Sequence, residues 1–214
     1  METISVSEAK QLDDKTIHQV GLDSIVLMER AALSIYDDLT HNNGWNLDNI
    51  LILAGYGNNG GDALALARIL FTHHFNVTIL PIGFKDNASE ENKKQQFSCD
   101  YYHIPLTTAD ADFSQYTTII DGIFGVGLSR EVSNDFATVI EKANQANVPI
   151  HAIDIPSGLN GDTGQPMGTA IKATSTSTLS YVKTGMALDA AQPYVGQIFI
   201  DDIGIYKTNT FNNE

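Results

Sequence analysis

Apolar residues along this 214-residue chain begin with a helical period and then change to short runs. From Ser5 to Leu39 they recur at three- and four-residue steps, most clearly at Met28, Ala32, Ile35 and Leu39, behind Asp23 as a cap. This predicts two helices broken near Gly21. A polar, turn-rich stretch from His41 to Asn49 then leads into Ile50-Leu51-Ile52-Leu53-Ala54. That segment is short, apolar on both faces and ended by glycine, the pattern of a central parallel strand. Leu64 to Phe71 predicts the helix after it, and Val77 to Leu80, Thr117 to Ile120 and Pro149 to Ile153 predict further strands. Between them Phe136, Val139, Ile140 and Ala143 mark a helix face. Ala173 to Lys183, rich in Ser and Thr, and Gly196 to Asp202 complete the set as two more strands. Alternation of this kind predicts an α/β fold with a parallel sheet covered by helices on both sides. One domain over 1–214 is expected, with N-terminal helices over 1–48, the α/β core over 49–207 and a polar tail from Thr208 to Glu214.

Hydrophobic residues make up 43% and charged ones 18%, enough apolar content to fill one core and too much for a disordered chain. The balance of 12 Lys+Arg against 26 Asp+Glu, a net charge of −14, opposes wrapping nucleic acid or lying on an anionic membrane. An anionic ligand therefore needs a local pocket. Cys99 is the only cysteine, which excludes a disulfide framework and a thiolate zinc site. No apolar run exceeds five residues, and residues 1–20 carry charges throughout without a signal-peptide core, so a cytoplasmic location is expected.

In an open parallel sheet, ligands bind beyond the carboxyl ends of the strands, and three strand ends here carry the candidate chemistry. The first is Gly55-Tyr56-Gly57-Asn58-Asn59-Gly60-Gly61-Asp62. Its glycines allow a tight turn and close approach of amide groups to an anion at a helix N-terminus, while Asn58, Asn59 and Asp62 add directional hydrogen bonds. The alternative is a strand-to-helix turn in which glycine serves geometry alone. The second strand ends Ile79-Leu80-Pro81-Ile82-Gly83, without the carboxylate that holds ribose in ordinary NAD-dependent dehydrogenases, and no Walker spacing is present. The second place is Asp121-Gly122-Ile123-Phe124-Gly125-Val126-Gly127-Leu128-Ser129-Arg130-Glu131. Here Asp121 can hold a cation or a polar ligand and Arg130 can close on phosphate, or both can serve as ordinary loop and surface residues. The third is Asp154-Ile155-Pro156-Ser157-Gly158-Leu159-Asn160-Gly161-Asp162, where partial burial would suit Asp154 to proton transfer. Ser157 lies outside any GxSxG elbow and fits a cation ligand or hydrogen-bond donor better than a nucleophile. Lys183 can bring an ammonium to the same sheet edge or stand solvated at a strand end. His73-His74 reads as a helix terminus, and Glu90 to Lys94 as a solvated helix face.

With Asn58 to Asp62, Asp121 to Gly125 and Asp154 to Gly158 in this order, the sequence closely resembles the NAD(P)HX epimerase family, also called the YjeF N-terminal domain, over nearly its whole length. The resemblance implies a Rossmann-like three-layer α/β/α sandwich, commonly a homodimer, that interconverts the R and S hydrates of NADH and NADPH for a partner dehydratase. Because that dehydratase is often fused downstream, a chain ending at Glu214 is expected to be a stand-alone epimerase. By matching position, the resemblance implies hydrate contacts from Asn58, Asn59, Gly60, Gly61 and Asp62, from Gly125, Val126, Gly127, Leu128, Ser129, Arg130 and Glu131, and from Asp154. It implies K+ as cofactor, held by Asn59, Asp121 and Ser157. Lys183 falls near the family's lysine, although Val182-Lys183-Thr184-Gly185 stands where Pro-Lys-Pro-Gly is common, and Ala63 replaces a frequent glycine. The expected catalytic pair is Asp154 as general acid/base with Lys183 tuning its charge. Two alternatives are a non-catalytic nucleotide-binding or scaffold module of the same fold and a nicotinamide-dependent oxidoreductase.

Overall fold

Strand β2 (Ile50–Ala54) is fully buried, because its alternating side chains face two separate cores. Ile50, Ile52 and Ala54 join Met28, Ala32, Ile35 and Leu39 of α2 (Ser24–His41) and Leu66 and Leu70 of α3 (Asn58–Thr72). Leu51 and Leu53 join Val139, Ile140 and Ala143 of α5 (Asn134–Gln145) on the other side. Helix, sheet and helix thus form three layers, as the alternating pattern predicts. The remaining elements are β1 (Thr3–Ile4), α1 (Val6–Lys15), β3 (Val77–Pro81), α4 (Glu90–Tyr101), β4 (Thr118–Gly122), β5 (Ile150–Ile153), β6 (Ser175–Leu179), β7 (Val182–Lys183), α6 (Gln192–Val195) and β8 (Gln197–Asp201). The computed structural model describes residues 2–41 and 44–207. The expected tail from Thr208 to Glu214 lies outside the described residues, as do Asn42 and Asn43 of the turn-rich stretch.

Six strands form one parallel sheet in the order β3-β2-β4-β5-β6-β8. The chain leaves β2 toward β3 on one side and returns to β4 on the other, so the loops after β2 and β4 diverge and leave a crevice between them. The two N-terminal helices are present, broken at Gly21 with its φ of 86°. The carbonyl of Asp23 accepts the first bonds of α2, from the amides of Val26 and Leu27.

Two expectations need correction. The segment from Ala173 to Lys183 is two strands and not one: Ser180 turns into the left-handed region (φ 59°), and the Tyr181 amide bonds back to Leu179 at 2.7 Å. β6 stays in the main sheet, whereas β7 pairs with β1 in a separate two-stranded sheet, a strand the sequence pattern missed. The hydroxyl-rich β6 tolerates burial because its side chains find partners: Ser175 with His151 Nδ1 at 2.7 Å, Thr176 with the Val195 carbonyl at 2.8 Å and Ser177 with Asp38 at 2.5 Å.

The second correction concerns the glycine loop. α3 begins at Asn58, capped by Gly57, so Asn58 to Asp62 are its first turns rather than a loop before it. Glycine here serves close packing. A Cβ on Gly60 would lie 1.8 Å from the Gly55 carbonyl oxygen, and one on Gly55 would lie 2.1 Å from that of Ile123. The helix start is therefore wedged into the ends of β2 and β4. Gly60→Ala is expected to destabilise the fold by about 3 kcal/mol or more, since backbone must move to admit the methyl group. Gly57→Ala, where a Cβ meets nothing within 4 Å, should stay within about 0.5 kcal/mol of the parent. Urea unfolding of both variants checks the contrast.

Candidate active site

A cleft of about 700 Å³ opens where the loops after β2 and β4 part. One wall is the start of α3. Gly57 and Asn58 are exposed there, and the first-turn amides of the helix lack intrahelical partners and carry its positive dipole end. Gly125 to Arg130 line the facing wall, with Arg130 adding a cation, while Tyr56, Ile82, Phe124 and Phe136 give apolar surface. Phosphate-like charge is favoured at the first wall and a planar ring against the second.

Asp154 lies at the inner end of the cleft. It follows β5 directly, with φ of 66° and its amide bonded to the Ser177 carbonyl at 2.7 Å, a left-handed conformation that Asp adopts more readily than most residues. Its Oδ1 pairs with the Lys183 ammonium, and the side chains are only 10% and 3% exposed. Lys183 spends its other donors on Thr178 Oγ1 at 2.9 Å and the Leu179 carbonyl at 3.3 Å. Lys183 is thus a buried partner of Asp154, positioned by the small β1–β7 sheet, and not a solvated strand-end lysine.

Asp62 also lines the cleft, is 7% exposed, and takes no hydrogen bond or ion pair from any described residue. Burial first, and the charges of Asp154 and Asp13 next, hold its carboxyl well above the usual carboxylate range. Asp13 on α1 borders the same space, and burial and Asp154 raise it too. Asp13 was missed by sequence reasoning, because nothing in a polar helix shows which turn will meet a distant cleft. The Glu90 to Lys94 run is likewise more than a solvated face. Glu91 lines the cleft and accepts the Ser24 hydroxyl at 2.5 Å. Asn92 is fully buried, and its Nδ2 donates to the carbonyls of Gly55 at 3.0 Å and Gly57 at 2.9 Å, fixing the β2–α3 turn.

Asp121 and Ser157 sit behind the cleft wall, both 0% exposed. Asp121 receives the Ser157 amide at 2.7 Å, the Ser157 hydroxyl at 2.6 Å and the Ile123 amide at 3.3 Å, tying the loops after β4 and β5 together. Burial pushes its carboxyl up to about 6, against those hydrogen bonds. Beside them, the Asn59 carboxamide is buried with neither Oδ1 nor Nδ2 partnered, and a Cβ on Gly125 would lie 3.3 Å from that Oδ1. An orphaned amide oxygen, a carboxylate and a hydroxyl are hard oxygen donors that suit a cation of the alkali or alkaline-earth type. Of the remaining expected contacts, Asn58, Asn59 and Gly125 to Arg130 border the cleft; Gly60 and Gly61 are buried in helix packing and Glu131 lies outside the lining.

Removing one member of the buried ion pair strands the other. Lys183→Met is expected to lower stability by about 3–5 kcal/mol, with part of the loss recovered when Asp154→Asn is added. A double-mutant cycle by urea unfolding checks this, and additive losses would contradict it.

Residues 24–185 match the model of the family described as YjeF-related protein N-terminus. The chain is 57% identical over 213 residues to the NAD(P)H-hydrate epimerase of Lentilactobacillus buchneri, covering 100% of this chain and 99% of that one. It is 45% identical over 207 residues to the protein of the same name from Limosilactobacillus fermentum, covering 96% and 99%. The crystal structure of yeast ynu0, YNL200c, superposes with a TM-score of 0.76 at 22% identity over 94% of this chain and 87% of that one, which shows the shared fold. The chain belongs to the YjeF-related protein N-terminus family.

Proposed function

We propose that this protein interconverts the R and S hydrates of NADH and NADPH. The observation that carries the reading is the buried Asp154–Lys183 pair at the inner end of a cleft whose outer wall is a helix N-terminus. A proton-handling carboxylate and an anion cradle then share one cavity, of a size within the usual range for small-ligand sites. Full-length relatives that carry the name NAD(P)H-hydrate epimerase support the same substrate class.

The reaction asks little of the protein. The hydroxyl on C6 of the hydrated nicotinamide is next to the ring nitrogen, whose lone pair assists its departure or opening of the ring. Inversion needs protons delivered to and removed from that oxygen. Asp154 acts as general acid/base, Lys183 fixes its position and charge, and the amides at Gly57 and Asn58 bind the pyrophosphate. Asn59, Asp121 and Ser157 fit K+, which when bound would offset the buried charge of Asp121 and brace the loops. The epimerised hydrate then passes to a dehydratase.

A mixture of both hydrates, given with an S-specific dehydratase, tests the activity through recovery of the dihydronicotinamide. The protein should accelerate the slow phase, and Asp154→Asn should cut turnover about 100-fold or more while binding persists. Unchanged turnover in the variant contradicts the assignment. The cation has its own signature. Asp121 titrates near 6 in the fold, above its value of 3.8 in a free chain, so its ionisation weakens the fold as pH rises through 6. K+ should therefore raise the Tm more above pH 6 than below it, because only the ionised carboxylate attracts the ion. Thermal unfolding in KCl against tetramethylammonium chloride reads the difference, and an equal response at both pH values contradicts the site.

A further inference from the structure

When inversion at C6 proceeds by departure of the hydroxyl, oxygen leaves one face of the ring and returns on the other, whereas Asp154 stands at a single strand end. A second proton-handling group is needed, and the cleft holds one. Asp62 projects from α3, a different element from that of Asp154, and its carboxyl is nine-tenths buried, lines the cleft and has no donor from any described residue. A carboxyl so placed, unless it hydrogen-bonds a ligand, has no structural return for its burial. We propose that Asp62 is a second catalytic residue, the acid that protonates the C6 oxygen of the hydrate on the face opposite Asp154. This deepens the epimerase reading and rests on it.

The charged groups lining the same cleft are Lys10 and Asp13 of α1, Glu91 of α4, Arg130 of the β4–α5 loop, Asp154, and Lys183 of β7. Lys183 is committed to Asp154, while Asp13 and Asp154 face Asp62 as like charges. That asymmetry separates the two roles: Asp154 stands as the ion-paired carboxylate, and Asp62 carries the proton. In the step, Asp62 gives its proton to the C6 oxygen, and the C6–O bond breaks with its electron pair leaving as water. The N1 lone pair forms the N1=C6 double bond. Water then adds to the opposite face, a new C6–O bond forms, the π pair returns to N1, and the surplus proton passes to Asp154. One proton has moved from Asp62 to Asp154. The enzyme now processes the other epimer with Asp154 as acid, or resets by proton return through water in the cleft.

The coupled dehydratase assay on the hydrate mixture, run on Asp62→Asn and Asp62→Glu beside the parent, tests the proposal. Asp62→Asn should lose about 100-fold or more in kcat with KM changed less than about threefold, and Asp62→Glu should regain part of kcat. The kcat of the parent should fall as pH rises through the raised titration of Asp62, and that limb should be absent in Asp62→Asn. Stability gives a readout of its own. A carboxyl raised in the fold strengthens folding below its free-chain value and loses that contribution as pH rises through its folded value, so above that folded value Asp62→Asn should unfold at a temperature equal to or above that of the parent. A variant that keeps kcat within about threefold, or that loses only KM, makes Asp62 a binding residue and overturns the proposal while leaving the epimerase reading in place. A parent whose kcat shows no falling limb as pH rises overturns it without any variant. A parent that fails to accelerate the slow phase removes the epimerase reading and this role with it.

Discussion

The start of α3 lies in backbone contact with the ends of β2 and β4, and the site depends on that contact. Gly55 and Gly60 meet so closely that no Cβ fits between them, and Asn92 closes the turn from the far side with two hydrogen bonds. Helix amides are thereby brought to the crevice where the chain reverses direction across the sheet. Residues three apart on the helix then take different duties. Asn59 points an unpartnered amide toward the Asp121 and Ser157 loops, and Asp62 a carboxyl toward Asp154. One steric constraint thus sets the proposed anion cradle, cation donors and proton-transfer pair side by side.

Charge explains why the arrangement needs enclosure. A chain of net charge −14 repels a dinucleotide at long range, so attraction has to come from groups within a few ångströms. In the proposed site the helix dipole on one wall and Arg130 on the facing wall supply it. At the inner end the balance of charge is reversed, with Asp13, Asp62 and Asp154 lining the cleft and the buried ammonium of Lys183 paired to Asp154. Crowded carboxylates with a single buried cation cannot all ionise at equal cost, which separates an acid from a base within one cavity.

The sheet was legible because β2 is apolar at every position and its neighbours alternate with amphipathic helices; periodicity reports burial, and these elements are buried. The three strand-end motifs were legible because a parallel sheet has one functional rim. What escaped was decided by tertiary contact. Glycine at 60 and 61 reads as loop by propensity, yet both lie in the helix, where the Gly55 backbone crowds position 60 and the Met28 side chain crowds position 61. The break at Ser180 hides within a β-prone run, and the pairing of β7 with Thr3–Ile4 joins segments nearly the whole chain apart. Asp13 and Asn92 belong to helices whose polar composition says surface, and only the fold shows that one borders the cleft and the other fills the core beneath it.

The most direct test of the account is a crystal structure of the protein soaked with the hydrate mixture. The account predicts the pyrophosphate on the amides at Gly57 and Asn58, with the hydrated ring between the carboxyls of Asp62 and Asp154. A dinucleotide seated outside this cleft, or one whose ring lies away from both carboxyls, would contradict it.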